Sequence, residues 1–262
     1  MLLAIDVGNS HTVSGVFRGN ELLCHWRVRT DRKETADELA ARFHTFFRMR
    51  DLVFTDINGV CLASVVPTQQ AAWRQFVREH LRLEPLVVTS RAAHPFMRLL
   101  IDEPDTLGAD RIANVVAGYA KYHTALIIVD FGTAITFDCV SATGDYLGGA
   151  ITAGVAVALD ALAQATAKLP RVDISTPPPA VIATNTVDAI TSGLLYGYGG
   201  LVDGLVGRLR QGIDPGPCKT VTVLATGGMA GLIAPYASTI EAVEPMLTLE
   251  GLRLIHQGSR EK

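Results

Sequence analysis

Two stretches of this chain are built alike and stand about half its 262 residues apart. In the first, MLLAIDVGNSHT, apolar Leu2 to Ile5 run into Asp6; Gly8, Asn9 and Ser10 then open a turn, and Thr12 to Phe17 return. In the second, LIIVDFGTAITF, apolar Leu126 to Val129, preceded by Ala125, run into Asp130; Gly132 and Thr133 then turn the chain, and Ile135 to Val140 return. A short apolar run, an acidic turn and a β-prone return read as a buried strand paired with its successor. The repeat of that unit predicts a duplicated α/β domain with one Asp-x-Gly turn per copy.

Such a turn has a specific chemistry. Gly lets the backbone approach a phosphate and aim N–H groups at it, and Asn, Ser or Thr adds side-chain donors. A carboxylate beside a phosphate repels it, so the Asp is useful there by holding a bridging cation or by orienting water or a hydroxyl. A single Asp-x-Gly is also an ordinary hairpin turn. Recurrence after matching strands is what points to phosphate.

The remaining composition removes several classes. A net charge of −3, with no long Lys/Arg block, argues against a nucleic-acid surface. The small cluster Arg27, Arg29, Arg32 and Lys33 is interleaved with Asp31 and Glu34 and reads as a solvated face. Cys24, Cys61, Cys139 and Cys218 have no CxxC spacing and favour a reducing cytosol, and the seven His residues show no HxxxH or HxH pairing that would suggest zinc. The N-terminal apolar run is too short for a signal peptide, and no run reaches a membrane span. With 48% hydrophobic residues and a mean hydropathy of +0.27, the chain has ample material for a sizeable core.

Between the turns, the pattern predicts a strand over Glu21 to Val28 and a helix over Thr35 to Phe47, with Thr35 and Glu38 in capping-box relation. A strand over Ile57 to Ser64, a helix beginning near Pro67 and a short strand over Pro85 to Thr89 follow. Gly108, Ala109, Asp110 and Arg111 then open an amphipathic helix carrying Ile112, Val115, Val116 and Tyr119 on one face. An acid in a first helical turn is expected from the helix dipole alone. Gly108 before it and Arg111 beside it suit a small anionic substrate. The second half repeats the order: a strand near Tyr146 to Ile151, a helix from about Val155 to Ala167, a Pro-rich loop over Pro170 to Pro179 and a long helix from Asn185 to Arg210. That helix carries Gly193, Gly197, Gly200 and Gly204 on a stripe that invites close backbone packing. Thr220 to Ala225 then leads into the turn of Thr226, Gly227 and Gly228.

Taken in order, DVGNS at 6–10, ASVVP at 63–67, GADRIAN at 108–114, DFGTAIT at 130–136, GGAI at 148–151, TAKLP at 166–170, NT-x-x-AI-x-SG at 185–193, ATGG at 225–228 and LTLEGL at 247–252 resemble the type III pantothenate kinases. These are members of the acetate and sugar kinase, Hsp70 and actin superfamily, and the resemblance covers nearly the whole chain. It implies duplicated actin-like ATPase (ribonuclease H-like) domains, each a mixed five-stranded sheet flanked by helices, expected here as 1–118 and 119–262. It also implies transfer of the γ-phosphate of ATP to the primary hydroxyl of pantothenate, the first step of coenzyme A synthesis, with Mg2+ and a monovalent cation, K+ or NH4+. On this resemblance the ATP phosphate contacts are Asp6, Val7, Gly8, Asn9, Ser10, His11, Thr12 and Val13 in the first turn, Gly132 and Thr133 in the second, and Gly227 and Gly228. Asp110 matches the general base, and Gly108, Ala109, Asp110, Arg111 and Thr186 match substrate contacts. Asp130 matches the monovalent-cation ligand, and Asp6 is a candidate for Mg2+ through the phosphate. A cytoplasmic homodimer is implied, with the Gly-striped helix in its contact and no membrane or nucleic-acid partner.

Two positions depart from the family. Ile101 stands where many members carry an aromatic pantothenate contact, and His11 where Asn is frequent. Another small-molecule kinase, a nucleotide-binding regulatory protein and a filament former share the superfamily fold. The intact Asp6, Asp110 and Asp130 argue against the second, and the lack of insertions argues against the third.

Overall fold

The computed structural model describes residues 1–214, 216 and 220–260; Cys218 lies outside these. The chain forms two compact units, Met1–Ala120 together with Met246–Lys262, and Lys121–Pro245.

In the first unit, β1 (Leu2–Val7), β2 (His11–Arg18), β3 (Glu21–Arg29), β4 (Gly59–Ser64) and β5 (Leu86–Val87) form one sheet of order β3-β2-β1-β4-β5. The pairs β1/β2 and β2/β3 are antiparallel, and β1/β4 and β4/β5 are parallel. Its helices are α1 (Ala36–Arg48), α2 (Pro67–Phe76), α3 (Ser90–Ala93) and α4 (Ala109–Tyr122). The predicted capping box is formed: the Thr35 hydroxyl accepts from the Glu38 N–H, and Glu38 accepts from the Thr35 N–H. The apolar stripe Ala36, Leu39, Ala40, Phe43 and Phe47 is buried against the face of the sheet that carries Leu3, Ile5 and Val7. Phe43 is the centre of an aromatic cluster, meeting Trp26, Trp73 and Phe76 at ring-centroid distances of 6.4, 5.5 and 5.3 Å.

The second unit repeats the plan. Its strands β6 (Ala125–Phe131), β7 (Ala134–Val140), β8 (Tyr146–Ala153), β9 (Val221–Thr226) and β10 (Ala242–Val243) have the order β10-β9-β6-β7-β8, the same topology strand for strand. Its helices are α5 (Val155–Ala165), α6 (Thr186–Leu209) and α7 (Ala230–Ile233). The core is mainly aliphatic, with Ile127, Val129, Leu195, Val202 and Val223 among its fully buried members. Asn185 caps α6 by accepting from the Asp188 N–H at 2.9 Å. The glycine of α6 that meets a backbone is Gly199, where a Cβ would strike the Tyr236 carbonyl; around Gly193, Gly197 and Gly200 there is open space. The stripe read in the sequence therefore lies on the outward face of the helix within this chain. Lower down, Asp203 accepts from the backbone N–H and hydroxyl of both Ser238 and Thr239 at 2.7 to 3.0 Å, tying α6 to the loop before β10.

The last helix, α8 (Leu247–Arg260), belongs to the first unit, although linear order would group it with the second. It packs on β1 and β4. Gly59 admits the His256 ring, Gly15 admits Leu249, and Gly251 rides on the Ala113 carbonyl of α4. α1 and α2 thus cover one face of the first sheet, and α8 with α4 covers the other. Among the described residues no helix is long and apolar enough to cross a membrane.

Candidate functional site

The first turn closes β1 onto β2. Asp6 and Val7 end β1, Gly8, Asn9 and Ser10 form the bend, and His11, Thr12 and Val13 start β2, so all eight predicted residues lie in one hairpin. The Gly8 N–H donates to the His11 carbonyl at 3.0 Å, in a space where a Cβ would come within 2.9 Å of that oxygen. The bend is braced from the next strand. The Thr30 hydroxyl donates to the Gly8 carbonyl at 2.7 Å and lies 3.0 Å from the buried Thr12 hydroxyl, and the Thr30 N–H donates to Ser10. Arg32 donates to Asn9 Oδ1 at 3.1 Å, and an Arg27 guanidinium nitrogen lies 3.2 Å from His11 Nδ1. Thr30, Arg27 and Arg32 escaped the motif reading because they follow the turn by some twenty positions. The signal for them is the hairpin register of β2 with β3.

Asp110 sits in the first turn of α4, which begins at Ala109 directly after Gly108. A Cβ on Gly108 would stand 3.5 Å from Val65, just past the end of β4, whose parallel neighbour β1 ends at Asp6 and Val7. Both carboxylates are therefore at the same end of the first sheet. Asp110 Oδ1 accepts from the Arg111 N–H at 2.8 Å. Burial pushes the Asp110 carboxyl above the usual Asp range, against the opposing pull of that N–H and the Arg111 guanidinium. One turn further along, Asn114 is fully buried and accepts from the Thr248 hydroxyl of α8 at 2.7 Å, which fixes α4 from below. Ile101 is half-buried in the loop ahead of Pro104.

In the second unit, Asp130 is near the end of β6, and Gly132 and Thr133 make the bend into β7. Gly132 donates to Ala134 at 3.1 Å, and Gly154 donates to Thr133 at 3.0 Å from a place where a Cβ would collide with the Gly132 and Thr133 carbonyls. β9 runs parallel to β6 with Thr226 beside Asp130, so the turn of Gly227 and Gly228 meets the Asp130 turn. Gly227 has φ +90° and lies against the Asp130 carboxylate and the Phe131 backbone; no side chain fits there. Two of the predicted ATP segments thus converge, from separate parts of the sequence, at the ends of adjacent parallel strands. Thr186, the first residue of α6, instead lines a groove of about 640 Å³ with Leu162, Leu169, Asn185 and Ile190.

Among the described residues no group of three or more His, Cys, Asp or Glu side chains is placed to hold a metal ion. In register Asp130 is flanked by Thr136 on β7 and Thr226 on β9, whose hydroxyls donate to Asp138 and to the Glu244 carbonyl.

Comparison with known proteins is consistent with these features. Residues 2–208 match the family described as type III pantothenate kinase. The chain is 48% identical over 260 residues to a type III pantothenate kinase of Geobacter sp. (strain M21), covering 99% of this chain and 100% of the relative. It is also 48% identical over 261 residues to one of Geotalea daltonii, covering 100% of both. Among solved structures, the ROK hexokinase of Thermus thermophilus is similar in fold alone, with a TM-score of 0.54 at 14% identity over 99% of each chain.

Proposed function

The chain belongs to the type III pantothenate kinase family, and from that premise we propose that it uses ATP and Mg2+ to phosphorylate pantothenate at its primary hydroxyl. The product is 4'-phosphopantothenate, at the entry to coenzyme A synthesis. Phosphoryl transfer asks a protein mainly for positioning and for neutralising phosphate charge. The observation that carries the reading is Asp110: a desolvated carboxylate on the N-terminal turn of α4, at the same sheet end as the Asp6 turn. With Oδ1 held by the Arg111 N–H, Oδ2 is the oxygen to accept the proton of the attacking hydroxyl. Its raised pKa, caused by burial, makes it a stronger base than an exposed Asp. Gly108, Ala109 and Arg111 would line pantothenate, Arg111 pairing with its carboxylate, with Thr186 a further contact and Ile101 in place of an aromatic wall.

Backbone N–H groups of Gly8 to Val13 and of Gly132 and Thr133 would hold the phosphates, with Gly227 and Gly228 toward the adenosine. Asp6 would help hold the Mg2+ that accompanies the nucleotide phosphates and neutralises their charge. Asp130, flanked in register by Thr136 and Thr226, suits a monovalent cation, K+ or NH4+. Bound there, that ion would offset the repulsion between Asp130 and phosphate. The open glycine stripe on α6 supports a homodimer contact, checked by light scattering, and the buried Cys24, Cys61 and Cys139 suit the cytoplasm.

The test is ADP release by purified protein with ATP and Mg2+, with and without pantothenate, in potassium and then in sodium buffer. Turnover requiring both pantothenate and potassium is the expected result. ADP formed independently of pantothenate would remove the substrate assignment, and an unchanged potassium response in Asp130→Asn would remove the cation role.

A further inference from the structure

We propose that Arg27, Arg29 and Arg32 form a cationic rim on the first turn that binds the phosphate oxygens of the nucleotide. This rests on the kinase reading and deepens it, because neither the turn motif nor its resemblance includes these residues. Cross-strand register supplies the placement. Val13 faces Asp6 on one side and Arg27 on the other, so Arg27, Val13 and Asp6 lie in one row on one face of the sheet. His11 faces Arg29 in the next row toward the bend, on that same face. The opposite face carries Trp26 and is filled by α1, so the arginines are turned away from the aromatic core and toward the Asp6 face. Two strand spacings, about 10 Å, separate Arg27 from Asp6, and a guanidinium spans much of that distance.

Charge supplies the purpose. Among the described residues none of the three guanidiniums pairs with a carboxylate. Arg27 instead meets the His11 ring, Arg32 meets the Asn9 amide, and neighbouring Glu34 is taken by Arg42 at 2.6 Å. Asp31 turns one carboxylate oxygen to the Lys33 N–H. Three cations gathered at one bend, two of them on neutral partners, are a standing attraction for an anion. Since Arg only donates, His11 Nδ1 accepts, and the neutral ring then carries its proton on Nε2 as one more donor. Burial, followed by the charges of Arg27 and Arg29, lowers the His11 pKa, which keeps that ring neutral. The cluster is exposed, as its interleaved charges suggest, and it also sets donors around the bend.

The experiment measures KM for ATP, KM for pantothenate and the affinity for inorganic tripolyphosphate by calorimetry, in the wild type, Arg27→Met, Arg29→Met, Arg32→Met, the triple variant and Arg27→Lys. Methionine keeps the aliphatic stem, and circular dichroism confirms folding. Each single change is expected to raise KM for ATP and weaken tripolyphosphate binding roughly tenfold, the loss of one charge-assisted hydrogen bond. KM for pantothenate should stay within about twofold, Arg27→Lys should recover part of the loss, and the triple variant should show a flatter dependence of KM for ATP on salt. Unchanged ATP and tripolyphosphate affinity in the triple variant, with an active wild type, overturns the inference. If the wild type turns over no pantothenate but binds tripolyphosphate in an arginine-dependent way, the substrate reading fails and the rim stands.

Discussion

The two Asp-Gly turns close the same strand pair in two sheets of identical topology, yet they are held by different means. Around Asp6 the support is side chains: Thr30 on the Gly8 carbonyl, Arg32 on Asn9 and Arg27 on His11. Around Asp130 close backbone approach is prominent: Gly132 lies tight against the Ala134 carbonyl, a Cβ on Gly154 would collide with the Gly132 and Thr133 carbonyls, and one on Gly227 with Asp130 and Phe131. The first arrangement offers charged and hydroxyl donors and has the Asp110 carboxyl, its pKa raised by burial, at the same sheet end; the second offers peptide groups and the Asp130 carboxylate. A duplicated scaffold has therefore kept its geometry while its two copies took different chemistry. The first is braced by side chains with charged donors, the second by close backbone approach.

Each way of breaking that contrast has its own size. Asp110→Asn should lower kcat by about 10³-fold or more, the scale of a lost general base, while ATP affinity measured by calorimetry stays near normal. The wild-type pH–rate profile should lose activity on the acid side at a pH above the ordinary Asp range, since the base must be ionised and its pKa is raised by burial. Near-normal turnover in the variant would move the chemistry away from the first unit. Gly227→Ala is next. It combines a strained positive φ with a collision against Asp130 and Phe131, together about 3 kcal/mol, read as a lower urea midpoint and weakened ATP binding. Thr30→Val in the first unit removes hydrogen bonds and not space, so about 1–2 kcal/mol is expected. Equal losses from Gly227→Ala and Thr30→Val would dissolve the distinction between the turns.

The smallest effect runs the other way. The Asp110 pKa is higher in the folded chain than in the unfolded one, so its favourable contribution is complete below the unfolded value and is lost as pH rises through the folded value. Asn cannot ionise and avoids that loss. Asp110→Asn should therefore raise the urea midpoint at pH 7.5 and leave it nearly unchanged at pH 4, the stability gain of removing a buried ionisable group.

Much of this was legible in the sequence because it is local. The apolar runs before Asp6 and Asp130, the Thr35 cap and the Asn185 start of α6 all depend on neighbours within a turn or a strand. The strand expected over Pro85 to Thr89 shrank to Leu86–Val87, since β5 pairs only with Cys61 and Leu62. What escaped depends on register or on distant packing. No periodicity says that Thr30 would reach Gly8, and the glycine of α6 that truly needs the space is Gly199, outside the stripe. In the sequence LTLEGL is legible only as a family motif; the helix α8 and the sheet it covers come from the structure.

That last helix also imposes an order of events on synthesis. The second unit is one continuous segment and can close as soon as it is made, whereas the first must wait for residues 247–260 to lay α8 across β1 and β4. Until then Ala4, Gly15 and Cys61 have no cover from α8, Asn114 lacks the Thr248 hydroxyl, and α4 lacks the seat that Gly251 provides. Growing from its N-terminus, a chain of this kind finishes its younger half first. A message cut short by even one helix would yield a completed second unit joined to an open sheet, a product whose exposed apolar face marks it for chaperones and proteases.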